Sequence, residues 1–240
     1  MKPFLEKALI RNSSKTYLRT NEFLGIVTII SVLSIALETV SSLTEYQTLF
    51  TIIEYVAVAI FTIEFIARLY AKDEKKEYLL SFYGILDIVS IVPTYFGVAN
   101  LTFLKTARIS RLLKFLKLSR VAKLSRISKY ANKNSKKVQE VRVISMEIYL
   151  IALAIAVMIF ASLLYLFEGE RNVLFADIPS AVLWVTTVLL GSGVNHADFS
   201  TITKLLVVGL QFTSLLLFGL LIAIVGNMVE RRLLGSSSVD

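Results

Sequence analysis

From Lys105 onward, basic residues recur at every third position: Lys105, Arg108, Arg111, Lys114, Lys117, Arg120, Lys123, Arg126 and Lys129, with only uncharged residues between them. On an α-helix a step of three turns about 300° and rises about 4.5 Å, so the charges trace a slow spiral stripe. As a 3₁₀ helix the same residues would share one face. The chemistry open to such a stripe is electrostatic: successive like charges offered to one fixed partner. Moving one elementary charge through 100 mV is worth about 2.3 kcal/mol, and three or four charges in each of four subunits supply tens of kcal/mol. The competing reading is a basic amphipathic helix lying on anionic lipid. That helix wants a broad apolar face at spacings of three and four, which an unbroken three-residue repeat does not provide. From about Arg120 the helix is expected to leave the membrane and lie at the cytoplasmic interface as a linker.

Other chemistry is poorly supplied. The chain has no cysteine, one histidine (His196) and no glycine-rich phosphate loop, so an enzyme, a cofactor and a metal site are not expected. The net charge of +8 resides mainly in loops and in the basic helix, which argues against nucleic acid as a partner. Hydrophobic residues make up 55% of the 240, the mean hydropathy is +0.69, and the apolar residues lie in blocks. Membrane-spanning helices follow.

Apolar segments of spanning length run over residues 23–43, 49–70, 83–99, 147–167 and 202–229. The first is too long for a secretory h-region and is expected to be retained. Positive charge gathers in the N-terminal segment, in 68–76, in 129–142 and at Arg231 and Arg232, while the other loops carry Glu45, Glu168, Glu170, Asp177 and Asp198. The asymmetry places both termini in the cytoplasm. An even number of crossings then requires the basic segment, 101–129, to cross as well, making six. Residues 175–190 are apolar and helical in composition but too short to cross with their flanks, so they are expected to dip in and return. A re-entrant segment persists only where protein or water surrounds it, which implies other subunits around it and membrane lipid outside.

A charged helix inside a bilayer needs counter-charges, and the neighbouring spans carry Glu54 and Glu64 in the second and Asp87 in the third. Glu54 could instead face water at a helix end. The second span reads Phe61-Thr-Ile-Glu64-Phe-Ile-Ala-Arg68 and the third Leu86-Asp87-Ile-Val-Ser-Ile-Val-Pro93. Both resemble the voltage-gated potassium channel family. Tyr165-Leu-Phe-Glu168, Ile178-Pro179-Ser-Ala-Val-Leu-Trp184 and Gly226-Asn227-Met228 are similar to the pore of the same family, so the resemblance covers nearly the whole chain to Glu230.

The resemblance implies an all-α membrane protein, a homotetramer of subunits that each carry a four-helix voltage-sensor domain and a two-helix pore domain with a re-entrant pore helix. Phe61 would be the hydrophobic plug, with Glu64 and Asp87 holding a cation on its inner side and Glu54 as a further counter-charge. The voltage-sensing charges would be Lys105, Arg108, Arg111, Lys114, Lys117 and Arg120. Domain boundaries follow: a cytoplasmic segment 1–22, the sensor 23–119, an interfacial linker helix 120–146, the pore domain 147–231 and a tail 232–240.

The selectivity filter is expected at Leu190, Gly191, Ser192, Gly193, Val194 and Asn195. That family carries Thr-Val-Gly-Tyr-Gly, whose carbonyls replace the ion's hydration shell. Here the tyrosine and at least one glycine are missing in every register. Gly191 and Gly193 can adopt positive φ and turn carbonyls to an axis, and no acidic residue lies in 189–197 to form a sodium- or calcium-type ring. The permeant species expected is therefore a monovalent cation, potassium or with weak selectivity, with anion permeation as a lesser alternative. Trp184 is expected to pack behind the filter. In the last span Ser214, Gly219, Ile222 and Gly226 are candidate hinge or gate positions, and Gly209 a further bending point, against the alternative that these glycines serve helix packing.

The function expected is a voltage-gated cation channel subunit. The alternatives are a sensor-bearing subunit that does not conduct and a membrane-surface scaffold that gathers anionic lipid. Eleven residues follow Val229, so membrane potential or lipid is the expected input. The compact chain suggests a prokaryotic plasma membrane.

Overall fold

The computed structural model describes residues 8–9, 15–72, 74–98, 107–125, 138–194 and 199–233, and every regular element among them is helical. The order is α1 (Lys15–Leu37), a 3₁₀ turn (Ser41–Tyr46), α2 (Gln47–Ala71), α3 (Lys75–Leu80), α4 (Phe82–Val98), α5 (Ala107–Leu118) continuing as 3₁₀ helix (Ser119–Leu124), α6 (Val138–Glu168), a 3₁₀ turn (Val173–Phe175), α7 (Ile178–Leu189) and α8 (Thr201–Leu233).

Four stretches are long and apolar enough to cross a membrane: Lys15–Leu37, Ser41–Ala71, Met146–Glu168 and Thr201–Val229. Two shorter apolar helices, Phe82–Phe96 and Ile178–Leu189, coincide with the expected third span and the re-entrant segment. The basic helix α5 has no such apolar stretch, because a third of its residues are charged. Packing decides its place: it lies against α1, α4 and α6.

Polar contacts between helices set their directions. Ser31 of α1 meets Glu54 of α2 (3.4 Å), and Asn21 meets Arg68 (3.2 Å), so α1 and α2 run antiparallel. Thr94 near the end of α4 donates to Glu54. Lys123 joins Asp87, near the start of α4, to Glu64, so α4 is antiparallel to α2. Lys117 and Arg120 reach Glu54 while Lys123 reaches Glu64, which makes α5 and its 3₁₀ extension parallel to α2. The four elements thus alternate in direction around a shared polar interior.

The second unit has an apolar core. Val157, Ala161 and Leu164 of α6 pack with Phe175, with Ala181, Val185 and Val188 of α7, and with Phe199, Val207 and Leu210. Trp184 stands edge-on to Phe175 (5.1 Å between centroids) and to Phe199 (5.8 Å). Glu168, at the end of α6, is buried and accepts from the Ser200 amide at 2.8 Å, which ties α6 to the entry of α8. The two units share a buried seam of Val32, Ile35 and Ala36 from α1, Leu118, Val121 and Leu124 from the basic helix, and Tyr165 and Ile178.

Two boundaries differ from the sequence expectation. The basic helix remains inside the first bundle through Lys123, beyond the expected start of the linker at residue 120, because Arg120 and Lys123 find carboxylates there. Helix α6 runs over Val138–Glu168, so 138–146 belong to it instead of forming a separate element.

Candidate functional site

On α2, Glu54, Phe61, Glu64 and Arg68 recur at helical spacing and are all buried on one face. Asp87, Ser90, Ile91 and Thr94 do the same on α4. Charged side chains on an otherwise apolar helix are tolerated when paired, and these faces converge on the basic stripe.

Five successive basic side chains meet a carboxylate. Arg111 lies 3.2 Å from Glu170, Lys114 3.4 Å from Glu38, and Lys117 3.5 Å from Glu54. Arg120 grips Glu54 with two parallel bonds, Nη1 to Oε2 at 2.6 Å and Nη2 to Oε1 at 2.8 Å. Lys123 lies 3.1 Å from Asp87 and 3.5 Å from Glu64.

Arg120 has no exposed side-chain surface. A guanidinium carries five N–H donors, and the bundle supplies an acceptor for each. Besides the two Glu54 bonds, Nε donates to the Ser90 carbonyl (2.9 Å), Nη1 to Ser31 Oγ (2.5 Å) and Nη2 to Thr94 Oγ1 (3.3 Å). Three helices therefore contribute to one cation, and full satisfaction allows it to stay charged inside protein.

Phe61, fully buried, separates the two deepest cations. The Arg120 guanidinium is 5.5 Å from its ring centroid and the Lys123 ammonium 4.1 Å, both within cation–π range. Glu54 marks one side of the ring; Glu64 and Asp87 mark the other. Glu64 also accepts from Arg68 Nε at 2.8 Å, and Arg68 in turn reaches the Leu9 carbonyl at 2.5 Å. Tyr78 donates its hydroxyl to Asp87. Gly84 lets α3 approach closely enough for this, since a Cβ there would sit 1.9 Å from the Tyr78 carbonyl oxygen.

Of the residues singled out in the sequence, the structure brings together Phe61, Glu64, Asp87, Glu54, Lys117 and Arg120, and Glu54 is buried instead of facing water at a helix end. It moves Arg120 from the edge of the interfacial linker to the centre of the bundle. Lys105 lies outside the described residues, as does the side chain of Arg108. Sequence reasoning left Lys123 out of the charge set, although the same three-residue repeat runs through it. It also missed Ser31 and Thr94, small polar residues on core faces, and the pairing of Glu38 and Glu170 with the stripe.

At the other candidate site, Asp177 caps α7 by accepting from the Ser180 amide at 2.8 Å, and Pro179 follows in the first turn. The C-terminus closes with Ser192 N to Thr187 O and Gly191 N to Val188 O, both 3.0 Å, which is a Schellman stop with Gly191 in the left-handed position at φ +90°. Gly191 is the one positive-φ glycine among the described residues. Ser192 and Gly193 are exposed, as is Leu190 at 83%. Asn195 lies outside the described residues. Ser214 donates to the Leu189 carbonyl at 2.8 Å and so tethers α8 to the end of α7. Helix α8 is unbroken through Gly209, Gly219 and Gly226. A Cβ at Gly209 would lie 3.8 Å from the Phe160 ring, whereas one at Gly219 or Gly226 would meet nothing within 4 Å. Ile222 is exposed.

Four helices of spanning length and composition mark an integral membrane protein. The model of the family described as ion transport protein matches residues 19–232, so the chain belongs to that family and is an ion channel subunit. No curated protein matches the chain.

Proposed function

We propose that this channel subunit is voltage-gated, that α1, α2, α4 and the basic helix form its sensor, and that α6 to α8 form one quarter of a tetrameric central pore for monovalent cations, potassium among them. The observation that carries the reading is the distribution of the stripe about Phe61. Arg111, Lys114, Lys117 and Arg120 pair on the Glu54 side of the ring, and Lys123 pairs with Glu64 and Asp87 on the other. With both termini cytoplasmic, the Glu38 end faces outward, and the arrangement corresponds to a stripe drawn toward the outside. An inward move by one repeat would put Lys117 in the place of Arg120 and Arg120 in the place of Lys123. Each repeat carries one charge past the aromatic ring, over about 4.5 Å as α-helix or about 6 Å as 3₁₀ helix.

A basic scaffold lying on lipid would leave its cations at the surface; the burial of Arg120 and Lys123 weighs against it. A sensor-bearing subunit that does not conduct remains the second reading, favoured by the missing filter tyrosine. We place the protein, with six crossings, in a prokaryotic plasma membrane.

The test is planar-bilayer recording of the purified protein between potassium chloride and sodium chloride, with voltage stepped both ways. Steeply voltage-dependent current reversing near the potassium potential is expected. Reversal near zero would mean a pore that does not select potassium over sodium, replacement of chloride by a large impermeant anion would then separate cation from anion permeation, and silence at every voltage would favour the non-conducting subunit.

A further inference from the structure

The outermost described charge of the stripe pairs outside its own bundle. Arg111 Nη1 lies 3.2 Å from Glu170, in the turn that leaves α6 for α7, and the guanidinium stands 5.2 Å from the ring of Tyr165 on α6. The next charge, Lys114, pairs with Glu38. The residue after Glu38 reaches the other unit: Thr39 Oγ1 accepts from the backbone amide of Ile178, the first residue of α7, at 2.9 Å. An unpaired first-turn amide is one of the orphan donors that every helix start must satisfy, and here the α1–α2 turn satisfies it. The same two units also meet in the seam in which Leu118 and Val121 of the basic helix pack with Val32, Ile35, Tyr165 and Ile178.

We propose that Glu170 is a positioning residue for gating: it holds Arg111 in the outward state and couples the outer end of the basic helix to the α6–α7 turn of the same chain. The inference rests on the voltage-sensing reading for its consequence but not for its geometry. It makes sensor-to-pore contact an intrasubunit matter on the outer side, independent of the linker at the inner end. An inward step of the stripe would break the Arg111–Glu170 pair and draw Lys114 from Glu38, and both contacts lead to the start of α7. The Glu170 side chain is 43% exposed and that of Arg111 15%, so the pair biases an equilibrium and does not lock it.

The chain has no cysteine of its own, which permits a direct test. Arg111→Cys and Glu170→Cys are introduced together, and the assembled protein is treated in membranes with a short bis-maleimide and run on a denaturing gel. The expected product migrates as a cross-linked single chain, identified by a linked peptide pair after proteolysis. Cross-linked dimers would overturn the intrasubunit contact. So would the absence of any cross-link when each single-cysteine variant is labelled by a monofunctional maleimide.

In recordings, Glu170→Gln is expected to change the equilibrium against the outward state by about two- to five-fold per subunit at fixed voltage, with unaltered steepness because Glu170 itself does not move through the field. The swap Arg111→Glu with Glu170→Arg should restore part of that change. No displacement of the voltage dependence by Glu170→Gln would overturn the coupling role. Total silence of the wild-type protein would overturn the voltage-gated reading alone, and the cross-link would then decide the contact.

Discussion

Glu54→Gln preserves side-chain shape and removes one charge, which leaves Arg120 as a cation with no exposed surface. Two of its five hydrogen bonds, those of 2.6 and 2.8 Å, lose their charged acceptor. The glutamine amide can accept one of them through oxygen but turns N–H groups toward the other. Charge-assisted bonds of this kind contribute about 1.5–3 kcal/mol each, and removing one partner of a buried pair costs about 3–5 kcal/mol. The Lys117 contact, longer at 3.5 Å, adds little. The expected loss of stability is about 3–5 kcal/mol. Arg120→Gln should cost less, because the stranded carboxylate keeps Lys117 and Thr94. In the double variant neither charge is left alone, so the combined loss should fall short of the sum of the singles by about 2 kcal/mol or more. The assay is unfolding of the four proteins in one detergent, followed by helical signal. Additivity within about 0.5 kcal/mol would refute the claim that these residues satisfy each other.

Arg111→Gln and Lys114→Gln should each reduce the steepness of voltage dependence and leave reversal potentials unchanged; equal steepness in wild type and both variants would count heavily against a sensing stripe. Gly191→Ala should destabilise by about 1–2 kcal/mol through its left-handed backbone alone, since no neighbour lies within 4 Å. Gly191→Asn should cost less and Gly193→Ala close to nothing, an order that thermal unfolding can read. Gly84→Ala forces the Tyr78 carbonyl away from a Cβ at 1.9 Å. It should cost at least about 1–3 kcal/mol, and a melting temperature equal to wild type would contradict the close α3–α4 approach.

The polar interior was legible in part because burial of charge in an apolar segment demands a partner. Glu54, Glu64 and Asp87 stand out on that ground alone, and the three-residue repeat supplies the cations. How far the repeat stays inside was not legible. Arg120 and Lys123 lie in a stretch whose hydropathy resembles a surface helix, and what keeps them buried comes from Ser31, Glu54, Glu64, Asp87, Ser90 and Thr94, on three other helices. Glu170 carried meaning in the sequence only as a loop charge that orients the chain, and Glu38 lay within the first apolar segment with no role of its own. Their pairing depends on the basic helix lying between the two units, a packing that no local pattern encodes. Gly191 was singled out for positive φ, but the Schellman pairing that uses it as a helix stop depends on where α7 ends.

The change from α to 3₁₀ geometry at Ser119 follows from what the side chains must reach. In α-helix, residues three apart are turned about 60° from alignment, so successive charges are handed from one neighbour to the next. Arg111 meets Glu170 beyond α6, Lys114 meets Glu38 at the end of α1, and Lys117 meets Glu54 on α2. Arg120 and Lys123 must both face α2 and sit on either side of Phe61, and 3₁₀ winding over Ser119–Leu124 removes the offset between them. Alignment is thus needed only at the level of the aromatic ring. A stripe that moves past Phe61 must therefore keep its 3₁₀ turn beside the ring and pass its residues through that turn, each charge rotating toward α2 as it arrives and away as it leaves.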